Sequence, residues 1–201
     1  MRRTAADAAE TRRTIIRTAL STFAALGWEG GSLVVIARRA GLTRGAVYHH
    51  FESKEGLLRA VLHEEWSAQA DPLLALLGDR SVPARTRSAL FLDRYLTLLA
   101  TDGAFRDLAV VSTVVAPQAI EIADGVEQKR DALSGWSCAL RLVFDEAGPL
   151  AEGVDAERAV FVILTFLHGL TIIAATEPAS LPRGETSAAI GRAVTNGLFA
   201  S

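Results

Sequence analysis

Apolar side chains recur at helical spacing through most of this chain, and this periodicity is the feature that most restricts its fold. Ile16, Ala19, Leu20 and Phe23 lie at i, i+3, i+4 and i+7, which places them along one side of a helix. Residues 33–40 have the same spacing, and Gly and Pro mark most of the breaks between such segments. No segment alternates as a strand does, so the pattern predicts an all-α fold.

Composition excludes several classes of protein. Half of the 201 residues are apolar and 22% are charged, which is typical of a globular rather than a disordered chain. The single cysteine, Cys138, excludes a disulfide scaffold; we expect it to be a buried small apolar residue, and a redox role stays open. The first 66 residues carry 10 Lys and Arg against 7 Asp and Glu, whereas the remainder carries 11 against 16. A basic amino-terminal part and an acidic carboxy-terminal part indicate two functions on one chain.

Two short predicted helices, residues 33–40 and 44–50, are joined by the turn Gly41-Leu42-Thr43, which is the arrangement of a helix-turn-helix. Because each residue turns a helix by about 100°, the second helix has two distinct faces. The first face carries Arg44, Gly45, Tyr48 and His49, and the opposite face carries Ala46, Val47, His50 and Phe51. The second face is mostly apolar and is expected to pack against the preceding helices.

The face that carries Arg44 suits the major groove of DNA, which is wide enough to admit a helix. The Arg44 guanidinium can donate two hydrogen bonds to guanine, and Gly45 permits close approach of the backbone. Tyr48 can donate its hydroxyl to a phosphate while its ring packs against sugar or a thymine methyl.

Four further residues are predicted to contact DNA outside that face. Thr43 begins the second helix and Lys54 begins the next, so both are expected to bind phosphate. Arg2 and Arg3 could reach a groove as a flexible arm. Many helical hairpins with Gly in the turn bind nothing, so geometry alone leaves DNA binding open.

Spaced anchors between Ile36 and Leu57 match a known signature. They are Ile36, Ala37, Ala40, Gly41, Leu42, Thr43, Gly45, Val47, Tyr48, His50, Phe51, Ser53, Lys54 and Leu57. This pattern resembles the DNA-binding signature of the TetR family of repressors, and the resemblance covers residues 10–62. Val35 departs from it, because many members have a charged or polar residue there, and Ser32 replaces a frequent Thr.

The resemblance implies an all-α homodimer with two domains. An amino-terminal three-helix helix-turn-helix domain, residues 1–53, would bind DNA, and a carboxy-terminal helical bundle, residues 54–201, would bind an effector and dimerise. The DNA contacts that it implies are Ser32, Thr43, Arg44, Gly45, Tyr48, His49 and Lys54. The string Thr43-Arg44-Gly45-Ala46 is similar to that of the AcrR-like subgroup of efflux-pump repressors, and we expect a small lipophilic effector.

The rear half has polar residues scattered within apolar stretches, which suits a ligand cavity between helices. The candidate effector-binding residues are Leu62, Trp66, Tyr95, Ser112, Gln128, Trp136 and Phe166. Each aromatic among them can equally be plain core packing. Glu121, Asp124 and Glu127 could favour a cationic effector, although a solvated helix face explains them as well.

The predicted helices 155–176 and 186–199 are our candidates for dimerisation. The first is apolar on both faces, so a monomer would leave one of them in water. The candidate interface residues are Leu164, Phe166, His168, Leu170, Ile172, Ile173, Ile190 and Val194. The uncharged run Ala159–Thr176 is long enough to cross a bilayer, but we interpret it as a helix covered on both sides, and expect no membrane contact.

These features together predict a cytoplasmic, DNA-binding transcriptional regulator, most simply a repressor released from a palindromic operator by its effector. A transcriptional activator and a helical dimer that acts only in protein interaction are the alternatives. We expect no enzyme, metal or cofactor. His63-Glu64-Glu65 lacks the second histidine of a zinc hydrolase, and no phosphate loop or dinucleotide fingerprint is present.

Overall fold

A computed structural model describes residues 5–120 and 126–200, with backbone only at 70, 120 and 126–134. The α-helices in these residues are α1 (Ala5–Gly30), α2 (Leu33–Arg39), α3 (Arg44–His50), α4 (Lys54–Gly78), α5 (Ala84–Thr101), α6 (Gly103–Val110), α7 (Ala116–Ile120), α8 (Val126–Asp145), α9 (Ala156–Thr176) and α10 (Glu185–Asn196). A π-helical turn, Val111–Val115, joins α6 to α7. The described residues contain one isolated β-bridge and no longer strand, so the all-α prediction is confirmed.

The chain divides into two compact units. Unit 1 comprises the described residues within Met1–Ser67 and Asp107–Ala123, and unit 2 those within Ala68–Arg106 and Asp124–Ser201. The predicted division after residue 53 lies inside unit 1, because Leu57, Leu58 and Val61 of α4 are buried in its core. Sequence alone could not place the segment from Asp107 onward in this unit, since only packing joins it to α1.

The core of unit 1 follows the apolar spacing of the sequence. The four positions that begin at Ile16 are all buried, together with Ile36 of α2 and Val47 of α3. Gly27 has a φ of 68° and kinks α1, and helical structure then resumes and continues to Gly30. The backbone thereby turns at a residue without a Cβ, which tolerates this conformation.

Unit 2 is built around α5, which packs against α8, α9 and α10. The packing between α5 and α10 is especially close. A Cβ placed on Gly191 of α10 would lie 3.0 Å from the carbonyl oxygen of Ala89 in α5. Ser187 and Thr195, one turn before and after Gly191, are buried on the same side of α10. Small side chains therefore allow these two helices to approach one another.

Helix α4 contains Pro72 in its interior and ends at Gly78. Proline lacks the N–H that would extend the helix ladder, so this position favours a break. Leu73 and Leu77, just beyond the proline, are buried in unit 2. Burial of these two side chains offsets the missing hydrogen bond, so the helix continues past the proline.

One helix among the described residues, Ala156–Thr176, is long and apolar enough to cross a membrane by composition alone. Its Ala159, Ile163 and Leu167 are buried on one side of the helix. A helix packed into a protein core passes the same compositional test.

Candidate nucleic-acid interface

Local hydrogen bonds fix the helix-turn-helix. Ser32 Oγ accepts from the Val35 N–H at 3.3 Å and caps α2, and Thr43 Oγ1 accepts from the Ala46 N–H at 3.2 Å and caps α3. Gly41 has a φ of 67°, which turns the chain between the two helices. Ser32 and Thr43 are therefore the N-caps of the two helices, and their hydroxyls are engaged in holding the motif together.

The two faces of α3 are divided as the spacing predicts. Arg44, Gly45, Tyr48 and His49 are exposed; we call these four residues the reading face. On the opposite side Val47 and Phe51 are buried and Ala46 and His50 are half-buried. A Cβ placed on Gly45 would meet no atom within 4 Å, so the open backbone there is available to a close neighbour.

Arg44 and Tyr48 support each other on the reading face. The Arg44 Nη2 donates to the Tyr48 hydroxyl at 3.3 Å, and the guanidinium lies 5.1 Å from the centre of the Tyr48 ring. Stacking on an aromatic ring restricts the flexible arginine while leaving its charge in solvent. Less entropy is then lost when the guanidinium engages a base or phosphate.

Lys54 has partners inside the protein. Its Nζ donates to the Trp28 carbonyl and lies 3.9 Å from the centre of the Trp28 ring. Desolvation by burial lowers the pKa of Lys54, against the opposite pull of Glu29 and Glu55. Arg2 and Arg3, the predicted arm, lie outside the described residues.

Three of the predicted effector-binding residues meet in unit 1. Leu62 packs against the core, and the Trp66 Nε1 donates to Ser112 Oγ in the π-helical turn at 2.7 Å. Ser112 in turn donates to the Leu108 carbonyl at 2.7 Å. Such π-turns are rare and often mark functional positions, and the irregular backbone here presents Ser112 to the indole.

Two other predicted effector-binding residues meet in unit 2. The rings of Tyr95 and Trp136 are both buried, with centres 6.0 Å apart in an edge-to-face arrangement. The Tyr95 hydroxyl lies 3.0 Å from Thr171 Oγ1, and it donates there because Thr171 gives its own proton to the Leu167 carbonyl. Burial raises the pKa of Tyr95 to about 12. Phe166 is half-buried, and the Gln128 side chain lies outside the described residues.

The predicted dimer residues divide by exposure. Ile172 and Ile173 are exposed, and the half-buried members are Leu164, Phe166, His168, Ile190 and Val194. Leu170 is buried within its own subunit, with 7% of the residue exposed, so it offers little surface to a partner. Phe161, 70% exposed, and Val162 are not among the candidates, since a helix that is apolar all round does not reveal its inner side. The expectation that Cys138 is buried is wrong, because the residue is exposed.

The described residues contain no group of three or more His, Cys, Asp or Glu placed to hold a metal ion. Within the His63-Glu64-Glu65 string, Glu64 pairs with Arg12 of α1 at 2.5 Å. The guanidinium of Arg12 also lies 5.1 Å from the centre of the Phe51 ring, at the end of α3. These residues therefore join α1, α3 and α4 within unit 1.

The model for bacterial regulatory proteins of the tetR family matches residues 15–61. The regulator SrpR of Pseudomonas putida is 56% identical over 61 residues, which is 30% of this chain and 29% of SrpR. The transcriptional repressor BepR of Brucella suis is 30% identical over 176 residues, 84% of this chain and 82% of BepR. The crystal structure of NalD, described as the secondary repressor of the MexAB-OprM multidrug efflux pump in Pseudomonas aeruginosa, matches with a TM-score of 0.75 and 25% identity, covering 96% of this chain and 98% of NalD. This chain belongs to the TetR family of bacterial regulatory proteins.

Proposed function

We propose that this chain is a transcriptional repressor that binds DNA as a homodimer and is released from its operator by a small lipophilic effector. The observation that carries the proposal is the division of α3 into a buried face and an exposed reading face with a preorganised guanidinium. Its relative BepR is a transcriptional repressor by name, which supports repression rather than activation.

In the proposed complex the reading face enters the major groove. Arg44 donates to guanine, Gly45 allows the α3 backbone to approach the bases, and Tyr48 and His49 contact phosphate or base edges. Ser32 and Thr43 hold the ends of α2 and α3 and add contacts at the phosphate backbone. The arm formed by Arg2 and Arg3 reaches an adjacent groove.

The partner in the proposed dimer is a second copy, seated on α9. Phe161, Val162, Ile172 and Ile173 form an exposed apolar surface on that helix, which we call the α9 surface. Four large apolar side chains exposed on one helix favour contact with a protein partner over contact with water. Pairing through a two-fold axis brings two reading faces to one duplex and requires a near-palindromic operator.

The proposed effector is a small lipophilic molecule, in line with the efflux-pump repressor NalD. Leu62 and Trp66 lie on α4, the helix that directly follows α3, so an effector that contacts them acts on this helix. A displacement of α4 would alter the spacing of the two reading faces. A coupling of about 1–3 kcal/mol between effector and DNA is enough to release an operator.

We also propose that the protein has no enzymatic activity and acts in the cytoplasm, where its DNA is. The α9 helix then serves a subunit interface and not a membrane. This use of α9 agrees with its exposed apolar side and its buried opposite side.

Selection of bound duplexes from a random-sequence library tests the proposed function directly. The expected product is a near-palindromic site with half-sites about one helical turn apart or a multiple of it. That site placed upstream of a reporter gene should lower expression, whereas higher expression would indicate an activator. A chain that enriches no sequence and shifts no duplex would be the interaction-only helical dimer.

A further inference from the structure

Helix α4 has two side-chain contacts in the turn where it leaves unit 1. Unit 1 includes α4 up to Ser67, and the rest of the helix belongs to unit 2. In this turn Glu64 pairs with Arg12 of α1 at 2.5 Å. Further along the turn, the Trp66 Nε1 donates to Ser112 Oγ in the π-helical turn at 2.7 Å. Because two residues turn a helix by about 200°, the contacts hold nearly opposite sides of α4, and we call the pair of contacts the α4 clamp.

The residues that hold α4 in the clamp are themselves fixed within unit 1. Ser112 gives its own proton to the Leu108 carbonyl at 2.7 Å, so its oxygen is left to accept from the indole. Leu108 is buried in the core of this unit. The Arg12 guanidinium lies 5.1 Å from the centre of the ring of Phe51, the residue that caps the end of α3. The clamp therefore ties α4 to the end of α3 and to the core of unit 1.

Beyond the clamp, α4 has little packing until it reaches unit 2. Before the clamp, Leu57, Leu58 and Val61 are buried in the core of unit 1. None of the described side chains from 67 to 72 is buried, and the next buried residue of α4 is Leu73, in unit 2. The clamp is therefore the last point at which these side chains let unit 1 determine the direction of the helix.

The direction of α4 affects a dimer that binds two half-sites at once. In the proposed complex the reading faces belong to unit 1 and the α9 surface to unit 2, and α4 passes from one unit to the other. A spread of α4 directions gives a spread of separations between the two reading faces. Linked contacts gain affinity only when their separation matches that of the two sites. Such a spread therefore lowers the affinity for one operator and relaxes the choice of half-site spacing.

We propose that the α4 clamp selects the half-site spacing of the operator, and that Arg12, Glu64, Trp66 and Ser112 are positioning residues for DNA binding. This inference rests on the proposed function. It adds a group of residues outside the reading face that determines which operators the dimer binds.

Binding to three kinds of duplex separates this role from a structural one. They are the operator obtained by selection, the same operator with one base pair added or removed between its half-sites, and a duplex that keeps a single half-site. A single half-site needs one reading face and no particular separation, so loss of the clamp should not affect it. Fluorescence anisotropy of the labelled duplexes at one salt concentration measures all three.

The variants each remove one contact of the clamp and keep the surrounding packing. Trp66→Phe removes the indole N–H and keeps an aromatic ring. Ser112→Ala removes the acceptor of that hydrogen bond, and Ser112→Thr restores a hydroxyl as the conservative rescue. Glu64→Gln removes the charge on the other side of α4.

Two matched controls remove similar groups that do not join α4 to another element. Ser67→Ala removes a hydroxyl that donates to the His63 carbonyl of α4 itself at 2.9 Å. Arg13→Gln removes the charge of an exposed pair, 2.7 Å long, that Arg13 makes with Glu10 within α1. Both controls should bind every duplex as the wild type does.

We expect Trp66→Phe and Ser112→Ala to bind the selected operator about fivefold to tenfold more weakly than wild type, because loss of one hydrogen bond lowers the population of the competent arrangement by about this factor. The loss caused by changing the spacing should shrink by a similar factor, and binding to the single half-site should stay within about twofold of wild type. Ser112→Thr should recover most of the loss. Glu64→Gln should show the same pattern more weakly, since a partly exposed ion pair contributes little.

Two results would overturn the inference and leave the proposed function intact. An equal loss on the operator and on the single half-site would show that these contacts act on unit 1 itself. Unchanged affinity and unchanged spacing preference in a folded Ser112→Ala would show that α4 is fixed without the clamp. If Trp66→Phe does not fold, Ser112→Ala carries the same comparison. A wild-type protein that enriches no duplex would instead remove the proposed function, and this inference with it.

Discussion

The reading face of unit 1 exposes a charged side chain, whereas unit 2 buries an arginine and exposes apolar side chains on α9. In unit 1 the reading face sets Arg44 and His49 in solvent while the apolar side chains of α3 point inward. In unit 2 an arginine is buried, with 4% of Arg87 exposed, whereas Phe161 is 70% exposed. The first arrangement leaves the Arg44 cation accessible to a polyanion, and the second leaves apolar surface exposed to water.

The energetic reasons for these arrangements differ. A solvated guanidinium such as that of Arg44 meets DNA through long-range attraction that salt weakens. A buried guanidinium needs several partners, and Arg87 donates to the Leu77 carbonyl at 3.0 Å and to Glu146 at 2.9 Å. Exposed apolar area gains about 25 cal/mol for each Å² removed from water, with little dependence on salt. Binding of DNA and dimerisation should therefore respond to different conditions.

The largest expected effect is on the α9 surface. Phe161→Glu replaces an exposed ring by a charge in both subunits of a two-fold interface. A central aromatic contact is worth about 2 kcal/mol or more, so the pair should weaken dimerisation about a thousandfold. Sedimentation velocity across a range of protein concentrations measures the change.

Leu26→Glu is the matched control, because Leu26 is an exposed apolar residue of α1 in unit 1. It should leave the dimer unchanged. If both variants remain equally dimeric, the α9 surface is not the interface. The exposed apolar side chains of α9 would then lack an explanation.

The next effect concerns the reading face. Arg44→Ala should weaken binding to the selected operator by about 1–3 kcal/mol and relax the preference at one base pair in each half-site. Arg141→Ala is the control, since Arg141 is an exposed arginine of α8 in unit 2. Quantitative gel shifts on the operator and on single-base variants measure both. An equal loss on operator and random duplex would mean that Arg44 contacts only the backbone.

Sequence patterns predicted which side chains are buried more successfully in α3 of unit 1 than in α9 of unit 2. In α3, apolar and polar residues alternate in blocks, so the spacing identifies Val47 and Phe51 as buried before any coordinates are known. In α9 nearly every residue is apolar, so the sequence shows no polar side of the helix. The spacing therefore does not distinguish Leu170, which is buried, from Phe161, which is exposed. Lys54 carries the family motif, but the Trp28 carbonyl that it meets lies 26 residues earlier, and no local pattern reports such a contact.

A smaller effect tests whether the interior of unit 2 is as close-packed as its α5–α10 contact indicates. Gly191→Ala brings a Cβ to 3.0 Å from the Ala89 carbonyl, and the helical backbone there has little room to move. We expect a loss of about 1 kcal/mol in the free energy of unfolding, from urea titrations with an unchanged m-value. Gly135→Ala in α8, where a Cβ meets nothing within 4 Å, should instead gain about 0.5–1 kcal/mol. Equal stabilisation by both would mean that α10 can withdraw from α5.

The smallest effect tests the buried Arg87 of unit 2 through the pH dependence of thermal stability. The hydrogen bond from Arg87 is the main cause that lowers the pKa of Glu146 below its ordinary value of 4.5, with a further contribution from Arg80. A lowered folded-state pKa means that the carboxylate stabilises the fold above pH 4.5, and that this stability is lost as pH falls through the folded value. Glu146→Gln should therefore lower Tm at neutral pH, and the difference from wild type should shrink in acid. Asp145→Asn, at an exposed pair 3.6 Å from Arg141, should change Tm little at any pH. A Glu146→Gln difference that persists unchanged at low pH would show that the glutamate acts through packing, and the buried arginine would then need another source of stability.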